Sequence, residues 1–362
     1  MRHFILSIIT VSFLFSCNKV KVPQDENTGI IEPLYRCEED GFAGEYPCKD
    51  YDLLSFIKLE DLNGLGTVGN DCWGWVDPTT QKEYALMGTN KGVTFIDITD
   101  PLTPIVLGNV PTATSSSTWR DVKVYKNHAF IVSEANNHGI QVFDLTRLRN
   151  VANAPQDFTP DAHYTGIGSA HNIVVNEESG YIYPVGTSRS GTYAGGPIFL
   201  NAQNPLNLVE EGGYPGYSHD SQVVTYDGPD SEYTGKEILI GSNENEVIIV
   251  DVTDKSNPQK ISSISYSNVG YTHQGWFTLD KRYFILGDEL DEINFGGKTR
   301  TIVFDFQDLD NPSFKMDYLG STEAIDHNGY VKGTTYFQAN YTAGVRMIDV
   351  SDIDNNSIKE VG

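Results

Sequence analysis

Four histidines stand at one position of an internal repeat: Ala170-His171-Asn172, Ser218-His219-Asp220, Thr272-His273-Gln274 and Asp326-His327-Asn328, at spacings of 48, 54 and 54 residues. A repeat of about 40–50 residues containing several short strands is the signature of a β-propeller. Successive blades of a propeller surround one axis, so residues far apart in sequence can meet at one central funnel. Trp119-Arg120-Asp121 fills the same slot 51 residues before His171, and Cys72-Trp73-Gly74 fills it 47 residues earlier still. Six modules result, starting near Asp71, Trp119, Ala170, Ser218, Thr272 and Asp326.

The fourth module shows the unit most clearly. Gln222–Tyr226, Glu237–Gly241, Val247–Asp251 and Lys260–Ile264 are four runs of strand length, and a Gly/Pro/Asp turn (Asp227–Asp230) follows the first. Runs rich in β-branched residues and bounded by turn formers read as strands. Four antiparallel strands make one blade. No stretch carries a sustained helical period with caps. The expected fold is therefore all-β, a propeller of four-stranded antiparallel blades.

The third run of most modules ends on an acid: Phe95-Ile96-Asp97, Val142-Phe143-Asp144, Ile249-Val250-Asp251, Val303-Phe304-Asp305 and Met347-Ile348-Asp349. The third module has Phe199-Leu200-Asn201 instead. Asp and Asn bond their own backbone in turns, so these positions read as strand ends and turn caps rather than as a catalytic carboxylate set.

Compartment is legible at the N-terminus. Met1-Arg2-His3 precedes a short apolar run from Phe4 to Phe15, which ends in Leu14-Phe15-Ser16-Cys17. The run is shorter than the roughly 20 apolar residues that span a bilayer, and it fits a secretory signal peptide over residues 1–16. The Leu-x-Ser-Cys ending resembles the lipobox of bacterial lipoproteins, which implies cleavage before Cys17 and lipidation of its thiol. An ordinary signal peptide with a chance cysteine is the alternative. Residues 17–36 then read as a tether, and residues 37–362 as the propeller. The expected location is the bacterial outer membrane or cell surface, with the periplasmic face as the variant, and the membrane is met only through the anchor. Cys37 and Cys48 are close enough in sequence to close a small loop, which an exported protein permits. Cys72 would then be a buried free thiol beside Trp73.

Charge narrows the partners. The chain has 25 Lys and Arg against 49 Asp and Glu, a net charge of −24. Nucleic acid is excluded on that balance, because phosphate binding needs a basic face. The acidity favours cations. A protein, small-molecule or glycan ligand stays open.

Asn70-Asp71-Cys72-Trp73-Gly74-Trp75, Trp119-Arg120-Asp121-Val122, Thr159–Tyr164, Ser169-Ala170-His171-Asn172, Tyr271–Trp276 and Asp288–Glu292 together resemble the choice-of-anchor B family, exported bacterial proteins with LVIVD-type repeats. The likeness runs from about Cys37 to the end. It implies fold and export and names no ligand. Family members generally carry one more strand-rich module, so the resemblance implies seven blades in a complete ring. Leu53–Leu59 would be the outer strand that closes it, and the chain would stop midway through an outer strand at Ile358–Gly362. The loop Ser188–Gly196 replaces a cysteine-containing loop of the family and is expected to be flexible.

In a blade, the start of the first strand and the end of the second share one face of the disc. The starts carry Arg120, Asp121, His171, His219, Asp220, His273 and His327; the ends carry Glu134, Asn243, Glu244, Asp288, Glu289 and Asn340. His with carboxylate can bind Zn²⁺, Mn²⁺ or Fe²⁺, and carboxylate with Asn carbonyl can take Ca²⁺. The tentative axial set for a metal or ligand is Arg120, Glu134, His171, His219, Asp220, His273, Asp288, Glu289 and His327. The competing reading is four copies of one structural hydrogen bond at the strand start. Differing neighbours (Asn172, Asp220, Gln274, Asn328) weigh toward function. Asp288–Glu292 reads as a solvated acidic loop or as part of a cation site. His128, His138 and His163 lie outside the slot and read as surface or loop residues. Three functions stay open: a binding propeller, a metal-dependent hydrolase or lyase, and a purely structural envelope module.

Overall fold

Val247–Asp251 is almost wholly β-branched, and such side chains pack well on a pleated, buried surface. It is buried along its length and lies between Glu237–Ser242 and Gln259–Ile264, with Asp220–Thr225 beyond. This four-stranded meander is blade four, and the same order repeats around the molecule. The computed structural model describes residues 32–362, of which Pro33–Gly362 form one unit. The signal sequence, Cys17 and the tether to residue 31 lie outside the described residues.

Six blades form the ring. Their inner strands are Gly69–Val76, Arg120–Tyr125, Asn172–Asn176, Asp220–Thr225, Thr272–Phe277 and Asp326–Lys332. Blade one gains a fifth strand, Gln156–Asp157, which pairs in parallel with the outer strand Ile105–Pro111. Among the described residues there are six blades and no seventh. Blade six already has its own outer strand, Ser357–Glu360, paired to Gly344–Asp352. Leu53–Leu59 is not that outer strand, because Leu53 pairs with Tyr35 and Leu59 opens the short helix Leu59–Asn63.

The acids at the third-strand ends act as turn caps. Asp97, Asp144, Asp251, Asp305 and Asp349 each accept the backbone N–H two residues on, at 2.9–3.0 Å. Asn201 does the same in blade three at 3.0 Å.

Apolar clusters fill five of the six junctions between blades. The junction of blades one and two stacks Phe95 on Phe143 at 4.7 Å; that of four and five packs Ile238, Ile240 and Ile249 of blade four against Phe284 and Phe306 of blade five. Equivalent clusters join blades two to three, three to four and five to six. The junction of blades six and one is built differently. Trp73 meets Tyr330 edge-on at the axis, 5.6 Å between centroids. Farther out, an N-terminal arm bridges the two blades: Lys49 donates to the Glu360 carbonyl at 2.6 Å and Ser55 to the Pro101 carbonyl at 2.7 Å. Cys37 and Cys48 of this arm are joined by a disulfide.

Cys72 is exposed rather than buried. It shares one face of its strand with Gly74 and Val76, all three exposed, while Trp75 on the other face packs toward blade two.

Candidate functional site

The inner strands all start at one mouth of the channel, and their first residues form a belt of imidazoles. His171, His219, His273 and His327 follow one another around the axis, with ring centroids 4.0, 4.6 and 4.6 Å apart. Four copies of one structural hydrogen bond would show one repeated partner, and these four meet three different sets of partners. His171 Nδ1 lies 2.6 Å from Glu134 Oε1. His219 Nδ1 faces the hydroxyls of Tyr271 and Tyr217 at 3.1 and 3.3 Å. His273 Nε2 and His327 Nε2 approach the two oxygens of Glu289, at 3.4 and 3.8 Å.

His219 and His273 are 6 % and 2 % exposed, and each keeps one buried ring nitrogen with no partner: Nε2 of His219 and Nδ1 of His273. A buried polar atom without a partner costs about 1–3 kcal/mol. Burial, followed by the neighbouring imidazoles, holds both side chains far below the ordinary histidine range, so both are neutral. Burial also lowers His327, against the pull of Glu289. One nitrogen of His219, one of His273 and one oxygen of Glu289 lie within 4.8 Å of one another. Neutral imidazole and carboxylate are the donors a divalent transition metal takes, and three protein ligands leave a coordination position open. Tyr341 donates to Glu289 Oε1 at 2.6 Å and orients it.

The other expected site residues have different places. Glu134 is at the rim, paired with His171 as above. Arg120 is 1 % exposed and its guanidinium is fully engaged, by the Thr89 carbonyl at 2.8 Å, the Thr112 hydroxyl at 2.8 Å and His138 Nε2 at 2.9 Å. Burial pulls it down to about 10. All three guanidinium nitrogens are thus bonded, and the side chain ties blade one to blade two. His138 is buried, not a surface residue: it accepts from Arg120, and Nδ1 donates to the Gly139 carbonyl at 3.0 Å. Burial pulls it down to about 4. His128 is half-buried and bonded to the Lys126 carbonyl; His163 is exposed.

Asp288 is buried, and both its oxygens accept bonds from the segment before His273: Tyr271 N on Oδ1, Gly270 N and the Tyr266 hydroxyl on Oδ2. It positions Tyr271 and Glu289 and does not face the mouth. Asp291 and Glu292 are likewise buried, held to Arg300 side chain and backbone at 2.6 and 2.9 Å, so the acidic run is not a solvated loop. The loop 188–196 is tied down: Arg189 lies 3.5 Å over the Tyr217 ring and bonds Glu244 at 2.7 Å.

A polar floor closes the mouth. Lys123 is buried between Asp121 at 2.6 Å and Asp71 at 3.6 Å. Burial and then the Asp121 charge push the Asp71 carboxyl well up; Asp121, in spite of its own burial, is held down by Lys123. Asp220 accepts from Asn172 Nδ2 at 2.9 Å, and burial pushes it up to about 7. Asp220 thus belongs to the floor.

The tyrosines were missed in the sequence. The signal was present: Tyr217-Ser218-His219 and Tyr271-Thr272-His273 repeat a Tyr-x-His pattern in successive modules.

No family model matches this chain. No curated protein matches it either. Solved structures do. A functionally unknown protein from Desulfotomaculum acetoxidans is 14% identical, with a TM-score of 0.56 over 82% of this chain and 90% of that one. A 6-phosphogluconolactonase candidate from Bacteroides uniformis is 14% identical, with a TM-score of 0.55 over 79% and 82%. The periplasmic gluconolactonase of Pseudomonas aeruginosa is 10% identical, with a TM-score of 0.52 over 79% and 83%. At such identity the likeness is one of fold.

Proposed function

We propose that this chain is an exported, lipid-anchored propeller of the choice-of-anchor B type whose central mouth holds a divalent transition metal on His219, His273 and Glu289. The observation that carries the reading is the convergence of one nitrogen of His219, one nitrogen of His273 and one oxygen of Glu289 within 4.8 Å, both imidazoles being buried and neutral. A cation so held supplies Lewis acidity at an open coordination position. The chain's own groups fit hydrolysis of a ligand bound there. Tyr271 and Tyr217 fix the His219 ring through Nδ1. Tyr341 fixes Glu289. His171, its Nδ1 held by Glu134, presents its second nitrogen at the rim as a proton acceptor, the arrangement general-base catalysis uses. The donor set favours Zn²⁺ or Mn²⁺ over Ca²⁺, which takes oxygen ligands. Substrate identity does not follow from the fold, since one fold hosts many activities.

The test is elemental analysis by mass spectrometry on chain purified without chelator or polyhistidine tag, comparing wild type with a His219→Ala/His273→Ala variant. About one transition metal per chain, lost in the variant, is expected for a three-ligand site. A folded wild type without transition metal after incubation with Zn²⁺ and Mn²⁺ would sink the reading.

A further inference from the structure

The inner strands continue past the His belt, and alternate residues along them keep facing the axis. Below the histidines come Asp121, Asn172, Asp220, Gln222 and Gln274. Beyond them come Trp73, Trp276 and Tyr330, at the far end of the channel. There a second cavity of about 310 Å³ opens, on the other side of the polar floor. Its size and lining fit a small-molecule pocket: mostly apolar and aromatic walls with a few placed polar groups.

The walls and the floor select a chemistry. Tyr330 stands edge-on to Trp276 (4.9 Å, 70°) and to Trp73 (5.6 Å, 75°), so three aromatic rings from blades one, five and six line the cavity together. Gln222 Oε1 accepts from Phe277 N at 2.8 Å and Gln274 Oε1 from Gly329 N at 2.9 Å. Both carboxamides are thereby fixed between blades, and among the described residues no partner takes their NH₂ groups. Asn172 is 6 % exposed and its Oδ1 is a buried acceptor with no partner. Two amide donors, those of Gln222 and Gln274, are therefore left to a ligand in an aromatic-walled space. A hydroxyl accepts as well as donates, so it satisfies such a donor. A ligand anion would meet Asp220 and the rim acids Glu177 and Glu178, and a ligand cation would meet Lys123 and Lys281. Lys123 already lies 4.6 Å over the Trp73 ring and occupies that π-face.

We propose that the mouth opposite the histidines binds a neutral pyranose sugar. The C–H faces of the ring lie against Trp276 and Tyr330, and its hydroxyls bond the free amide groups of Gln222 and Gln274. This cavity shares Asn172 and Asp220 of the floor with the metal mouth, and the proposal does not depend on that reading.

The test is saturation-transfer NMR and tryptophan fluorescence on the wild-type chain with glucose, galactose, mannose and N-acetylglucosamine at millimolar concentration. Glucuronate and tetramethylammonium serve as the anionic and cationic probes. Saturable binding of at least one neutral pyranose is expected, weakened tenfold or more in Trp276→Ala and unchanged in His219→Ala/His273→Ala. Should Trp276→Ala fail to fold, Trp276→Leu keeps apolar volume without the ring and gives the same readout. The proposal is overturned if no neutral pyranose binds saturably. It is equally overturned if the charged probes bind instead, or if binding survives loss of the Trp276 ring.

Discussion

At the scale of single residues, the mouth is governed by what each imidazole is bonded to. His219 and His273 were legible as members of a slot, and their different chemistry was not. That difference comes from Tyr271, Tyr217 and Glu289, which reach them from other strands. Groups that orient a ligating histidine typically change metal affinity about 10–100-fold when removed. Tyr271→Phe is therefore expected to weaken Zn²⁺ binding by about tenfold while leaving the melting temperature nearly unchanged, read by competition with a chromogenic chelator. Arg120→Ala should behave in the opposite way. Its guanidinium joins blades one and two, so its loss leaves His138 and Thr89 without partners and lowers stability by about 2–4 kcal/mol in denaturant titration, with metal affinity retained. Arg120 lies beside the mouth, but its guanidinium is spent on the frame, because the repeat slot gives position along the strand and says nothing of where a long side chain turns.

Blades are the elements, and their packing was more legible than their polar ties. The run Val303-Phe304-Asp305 announces a strand with a cap, and the structure gives both. Phe143 is fully buried against Phe95 and Phe158, so Phe143→Ala is expected to destabilise by about 3–5 kcal/mol in denaturant unfolding. The tie between Asp77 and Arg149, by contrast, spans 72 residues and had no sequence signal. Its two hydrogen bonds, both 2.7 Å, join blade one to the segment after the third strand of blade two. The Arg149 guanidinium holds the Asp77 carboxyl well below the usual range. A depressed folded pKa contributes stability that is whole above the unfolded value of about 3.9 and is lost as pH falls toward the folded one. Asp77→Asn should therefore flatten the loss of stability below about pH 4, measured by urea titration across pH 5 to 2.

For the whole molecule, acid sensitivity should begin earlier than those carboxylates require. Four histidines, His138, His219, His273 and His327, are all lowered by burial. Between about 6.5 and the folded pKa the unfolded chain binds more protons, so stability rises with pH in that window and falls as pH drops through it. Each such group contributes up to about 1.4 kcal/mol per pH unit. The metal-free chain should lose stability steeply from about pH 6 downward, and His219→Asn/His273→Asn should make that slope shallower. The ring also has one dissimilar junction. Blades six and one meet through Trp73, Tyr330 and the N-terminal arm, without an apolar cluster like the other five. Hydrogen exchange should therefore be slower in Val247–Asp251 than in Gly69–Val76 and Gly344–Asp352; equal protection would contradict this account. The sequence by itself determined the six modules, the four-stranded blade and its capping acids, because strand patterning and turn chemistry are local and recur in every module. It also determined that four histidines share one layer, but it misplaced blade one in that slot: Trp73 lies with Tyr330 farther along the channel, and Asn70 and Asp71 stand at the His mouth. Only the tertiary structure decided that His219, His273 and Glu289 converge, that Arg120 and Asp288 belong to the frame, that Cys72 is exposed, and that six blades meet at an arm-bridged junction. Those outcomes depend on side-chain direction and on contacts across blades, and neither is written in the spacing of a repeat.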